Sequence, residues 1–143
     1  MHVRRCYYSE GLVEHPTTVL SVFTKDLGLI QKVLLSLAWP KVRQKMINLM
    51  DLGFDQGLES QAIVEAEVDS LDSLLSDDRP FLGGDAFSRI DLTAASLLGP
   101  ILRKRDYEVT QTAVLPPRLS RHVRQWAGRP IVSLINKVYQ DFR

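Results

Sequence analysis

The chain has a single cysteine, Cys6. One thiol cannot close an internal disulfide, and it cannot complete a structural zinc site beside His2, His15 and His122, which lack metal-ligand spacing. We therefore expect no metal centre and a reducing, cytoplasmic setting. No apolar run reaches the roughly 18 residues that read as a transmembrane helix. The charged stretch from Met1 to Glu10 is not followed by an apolar one, so no secretory signal is expected. Charge of one sign is also scarce: 18 basic residues against 17 acidic ones leave a formal +1. No strong field invites nucleic acid or an anionic membrane. The signatures HExxH, GxSxG and GxGxxG are missing. Gly83-Gly84 lacks the Lys-Ser/Thr tail of a phosphate loop and reads as a tight turn. No complete catalytic set emerges, and no catalytic residue is assigned.

What is present suits one globular domain over residues 1–143. A chain of this size buries about 68–70% of its unfolded surface and needs no staples. Residues 2–14 read as a short helix that His15-Pro16 ends, because the residue before proline avoids the α region. Thr17 to Phe23 is the most strand-like stretch and reads as an irregular or short helical connector. From Asp26 to Leu37, Ile30, Val33, Leu34 and Leu37 share one helical face and are expected to point inward. Trp39-Pro40 is expected to interrupt that helix, with Pro40 opening a new one that Gly53 or Gly57 ends. Residues 60–76 give a helix with Val64, Val68, Leu71 and Leu75 on its apolar face.

The start of the next helix carries the strongest local signal. Ser88 is a good N-cap, and Asp91 at N3 can reach back to the Ser88 N–H as an aspartate version of the capping box. Phe87 and Leu92 are placed as a hydrophobic staple. Ala94, Ala95, Leu98 and Leu102 suit a central buried helix, and Arg103, Lys104 and Arg105 follow where cations meet its negative end. Pro116-Pro117 opens a helix with Leu119, Val123 and Trp126 on one face, and Gly128 caps it. Pro130 opens the last, with Ile131, Leu134, Ile135, Val138 and Phe142 inward. Helix follows helix, so the class is all-α, with about five to seven helices.

The stretch from Phe81 to Leu98 resembles the centre of the glutathione S-transferase C-terminal domain. That family carries a Phe-Leu-Gly-Asp loop, a serine or threonine N-cap, and an aspartate three residues on. Here these are Phe81, Leu82, Gly84, Asp85, Ser88 and Asp91, with Ile90 in place of a frequent alanine. The helix ending Leu71-Asp72-Ser73-Leu74-Leu75 and the later Trp126 with Arg129-Pro130 also look like the family. The resemblance covers residues 60–143 well and residues 1–59 only by plausibility.

The resemblance implies a helical bundle that supplies the apolar pocket for an electrophile, and part of a homodimer contact. Glutathione, the co-substrate, is held mainly by a thioredoxin-like half, which also supplies the thiol-activating residue. Residues 1–59 have no strand pattern for that half. The first helix corresponds to the family's pocket-lining fourth helix, which makes Tyr7 and Tyr8 candidate substrate contacts. The plainer reading is a helix packing its aromatics. Cys6 has no nearby histidine to lower its pKa and is not expected to be a nucleophile. Arg118, Arg121, His122, Arg124 and Arg129 read as a solvated face, and the three histidines as solvated. Trp39 and Phe54 are expected to pack. A non-catalytic binding or assembly module of the same fold is the rival expectation, since this fold also occurs attached to translation factors and synthetases.

Overall fold

A computed structural model of the chain describes residues 1–102 and 116–142. The Arg103-Lys104-Arg105 run lies outside the described residues. Among them the fold is all-α: α1 (His2–Tyr8), a π-helical turn (Ser9–Glu14), α2 (Pro16–Thr24), α3 (Leu29–Met50), α4 (Phe54–Leu74), α5 (Arg89–Leu98), α6 (Pro117–Trp126) and α7 (Pro130–Asp141). No strand forms there, only an isolated bridge between Phe81 and Gly84. Gly84 adopts φ +115° in that turn, a conformation that favours glycine.

The helices close around two apolar clusters. The larger joins Val64 and Val68 of α4, Phe81 and Leu82 of the loop, and Ala95 and Leu98 of α5. Leu119 and Trp126 of α6 and Ile131, Ile135 and Val138 of α7 complete it. The smaller is built on Leu12, Trp39 and Leu52, with Tyr8, Val19, Leu20 and Met46 against them. The helix α1 lies along α4, and α5 lies along α7. Apolar spacing of four and three on α4 puts Val64 and Val68 inward, as periodicity dictates.

Of the two forms expected for Thr17 to Phe23, the short helix is the one that forms, started by Pro16 at its first position, where a missing N–H costs nothing. Other readings of the sequence need correction. Pro40 does not divide α3, which runs unbroken from Leu29 to Met50. The carbonyl that Pro40 leaves without a helical donor is that of Ser36, which is exposed, so water can satisfy it. That helix ends at Asp51, which takes the left-handed conformation at φ 51°, and neither glycine ends it. Gly53 instead precedes α4, and Gly57 lies within it.

The apolar face of α3 is the larger departure. Leu29, Ile30, Val33, Leu34 and Leu37 are between 52% and 79% exposed. Their spacing is helical, but no element of the described fold covers them. Likewise α5 is not enclosed on all sides: Asp91, Ala95 and Leu98 are buried, while Ile90, Leu92 and Leu97 face out.

Candidate ligand cleft

The turn that opens α5 is built around Asp91, which is 1% exposed. Its Oδ1 accepts the Leu82 backbone N–H at 2.8 Å, and its Oδ2 accepts the Ser88 backbone N–H at 2.8 Å. The Ser88 hydroxyl donates to Oδ2 at 2.7 Å while its oxygen accepts the Ile90 N–H at 3.3 Å. This is a capping box that also fastens the preceding loop. The staple takes another form. Phe87 stacks on Phe142, with ring centroids 4.0 Å apart and planes 7° apart, and Leu92 stays half exposed. An aromatic from the far end of the chain offers more surface than Leu92 could.

The next two helices take their caps from elsewhere. Both start with proline and have no acceptor side chain at the N-cap. Glu10, on the π-helical turn, places Oε1 2.6 Å from the Arg118 N–H and Oε2 2.8 Å from the Leu119 N–H, capping α6. Asp72, on α4, accepts the Ile131 N–H at 2.8 Å and so caps α7. Arg129 holds Asp72 and Asp69 through Nε and Nη2. Arg43 of α3 donates to the Leu12 and Val13 carbonyls and satisfies the end of the π-helical turn.

The basic stretch is therefore not one solvated face. Arg118 is tied to Glu14 and lies over the half-exposed Phe54 ring at 5.5 Å. His122 is 8% exposed, with Nδ1 3.0 Å from Glu65 Oε1 but without the alignment of a hydrogen bond. Only Arg121 and Arg124 of this group face water. Trp39 is buried as a core residue. His2 lies 3.3 Å from Ser60 Oγ.

A cleft of about 720 Å³ opens between α1 and the C-terminal end of α5. Val3, Tyr7 and Tyr8 line one wall, and Leu97 and Ile101 the other. Tyr7 and Tyr8 meet edge to face at 5.5 Å. Tyr7 packs on the larger core cluster and Tyr8 on the smaller, so the pair spans the seam between them. Arg4 and Ser96 bring polar groups to an otherwise apolar lining. Arg4 is exposed and makes no ion pair among the described residues.

Behind that wall lies Cys6, buried between α1 and its neighbours. Burial pushes its thiol from 9.0 up to about 11; the Arg118 guanidinium opposes the rise, and the Glu10 and Glu65 carboxylates add to it. A thiol held protonated in this way is a poor nucleophile. No three histidine, cysteine, aspartate or glutamate side chains among the described residues group as a metal site, and no described helix is long and apolar enough to cross a membrane. No known protein family, curated protein or solved structure matches this chain.

Proposed function

We propose that this domain holds a small apolar ligand in the cleft beside α1, as the pocket half of a glutathione-transferase-type protein. The cleft itself carries the reading. It is concave and mostly apolar, with a few polar groups at one side, the usual character of a small-molecule site. The loop and capping box from Phe81 to Asp91, which resemble that family, support the second part. In this reading Tyr7, Tyr8 and Leu97 contact the ligand and Arg4 attracts an anionic end. Glutathione and the residue that activates its thiol belong to a separate thioredoxin-like half. The ligand of this half is then the electrophile.

The exposed face of α3 favours a second reading, a non-catalytic assembly module, because a surface of that kind suits a protein partner. The two readings part on ligand binding. Titration of the full chain with 8-anilinonaphthalene-1-sulfonate, an anionic naphthalene dye, tests the first. Saturable binding at one site per chain is expected. Leu97→Asp, at an exposed wall position, should weaken it by about tenfold, the equivalent of about 1.4 kcal/mol. Arg4→Ala should weaken it less. Fluorescence that does not saturate, or that ignores both substitutions, removes the cleft as a ligand site. Conjugation of glutathione to an electrophile by this chain alone is expected to be absent.

A further inference from the structure

The cleft beside α1 continues along α5, a helix of 10 residues and so about 15 Å long. Two further hollows extend it. One, of about 270 Å³, lies over Val64, Val68 and Leu98, where α4 meets α5. The next, of about 550 Å³, lies over Leu71 and Leu82 beside the first turn of α5. Val3 borders the cleft and the middle hollow, Leu71 and Ala94 border the middle and far ones, and Leu97 borders all three. The three form one trough with an apolar floor. Ile90 and Leu97 stand on its α5 edge, 58% and 51% exposed.

We propose that this trough holds a free long-chain carboxylate, with its head at Arg4 and its alkyl chain laid along α5 towards Ile90. The proposal rests on the cleft being a ligand site and names the class of its ligand. Shape selects a single chain. The middle hollow is the waist of the trough, and a protein helix, about 10 Å across with its side chains, has no room there. Charge selects the head and its direction. The Arg4 guanidinium and the Ser96 hydroxyl, both at the cleft end, make no hydrogen bond or ion pair among the described residues. Together they offer donors to both oxygens of a carboxylate. At the far end the Thr93 hydroxyl already donates to the Arg89 carbonyl at 2.7 Å. Glu67 borders the waist and is exposed, so it repels an anionic group there. An alkyl chain passes it uncharged.

Calorimetric titration of the full chain with octanoate, decanoate and dodecanoate, below micelle formation, tests it. Saturated acids carry no electrophilic centre and report binding alone. One site per chain is expected, with affinity rising about twofold per added methylene, half the free-energy gain of complete burial. Arg4→Glu should weaken every acid by about tenfold. Ala94→Leu puts a larger side chain at the waist and should bring dodecanoate down to about the affinity of octanoate. Ala94 is half-buried, so circular dichroism checks that this variant folds. Ile90→Asp, at an exposed position of the far hollow, should also lower dodecanoate more than octanoate. Equal affinity across the series, while the naphthalene dye still saturates the cleft, overturns the trough and leaves the cleft reading intact. Absence of binding by both acids and dye overturns both. A series that ignores Ala94→Leu and Ile90→Asp overturns the trough as well. So does a loss from Arg89→Ala with none from Arg4→Glu, which would reverse the direction of the chain.

Discussion

Glu10 Oε2 accepts the backbone N–H of Leu119 at 2.8 Å, joining the π-helical turn to the first turn of α6 across 109 positions. Glu10 is buried, and its second oxygen accepts the neighbouring Arg118 N–H. One side chain thus does for α6 what Ser88 and Asp91 do locally for α5.

Removing that carboxylate strands two backbone donors at a helix start. Glu10→Ala should destabilise the chain by about 3 kcal/mol, read from the midpoint of a urea melt. Glu10→Gln keeps one acceptor and should recover roughly half of the loss. A Glu10→Ala midpoint equal to the parent's would show that water caps α6 adequately.

The box at α5 ranks its two members. Ser88→Ala should cost about 1–2 kcal/mol, the upper range for a cap. Asp91→Ala should cost more, about 3 kcal/mol, because the carboxylate also satisfies Leu82 in a buried loop. Denaturant melts of both variants check the order, and the reverse order would mean that the Leu82 bond contributes little.

Gly57 allows α4 to approach the π-helical turn. A Cβ built there would lie 2.7 Å from Ser9 Cβ. Helix propensity alone would make Gly57→Ala stabilising by about 1 kcal/mol. The clash should reverse the sign and cost about 1–3 kcal/mol. Thermal melts should also show that Ser9→Gly relieves the loss in the double variant, since it removes the atom that is struck.

Cys6 gives the chain a pH dependence in the alkaline range. Its folded pKa, about 11, stands above the ordinary 9.0, so the unfolded chain loses the thiol proton first. Stability from this group is complete below pH 9 and declines as pH rises towards 11. Melts from pH 8 to 11 should show that decline in the parent and less of it in Cys6→Ala. At pH 8 iodoacetamide should alkylate native Cys6 about a hundredfold more slowly than the denatured chain, as its thiolate fraction requires.

Local chemistry was legible before the structure, and remote chemistry was not. Ser88 and Asp91 sit three positions apart, so the box could be read from spacing. Glu10 and Asp72 act on backbone 108 and 59 positions away, and nothing near them announces a partner. The apolar face of α3 was visible in Ile30, Val33, Leu34 and Leu37, but periodicity reports which side is apolar and not what covers it. Pro40 was read as a break because the sequence does not show that Ser36, whose carbonyl it frees, is exposed. Tyr7 and Tyr8 were singled out through resemblance; the wall opposite them, at Leu97 and Ile101, comes from α5 and its end and needed the tertiary fold.

The Glu10 cap also bears on the order of assembly. Helical domains fold fast because their contacts are mostly local in sequence. Here the first turn of α6 finds its acceptor on a residue made more than a hundred positions earlier. During synthesis the Glu10 carboxylate stays open to water until Arg118 and Leu119 have left the ribosome. Docking of α6 should therefore come late in folding, and Glu10→Ala should speed unfolding more than it slows folding.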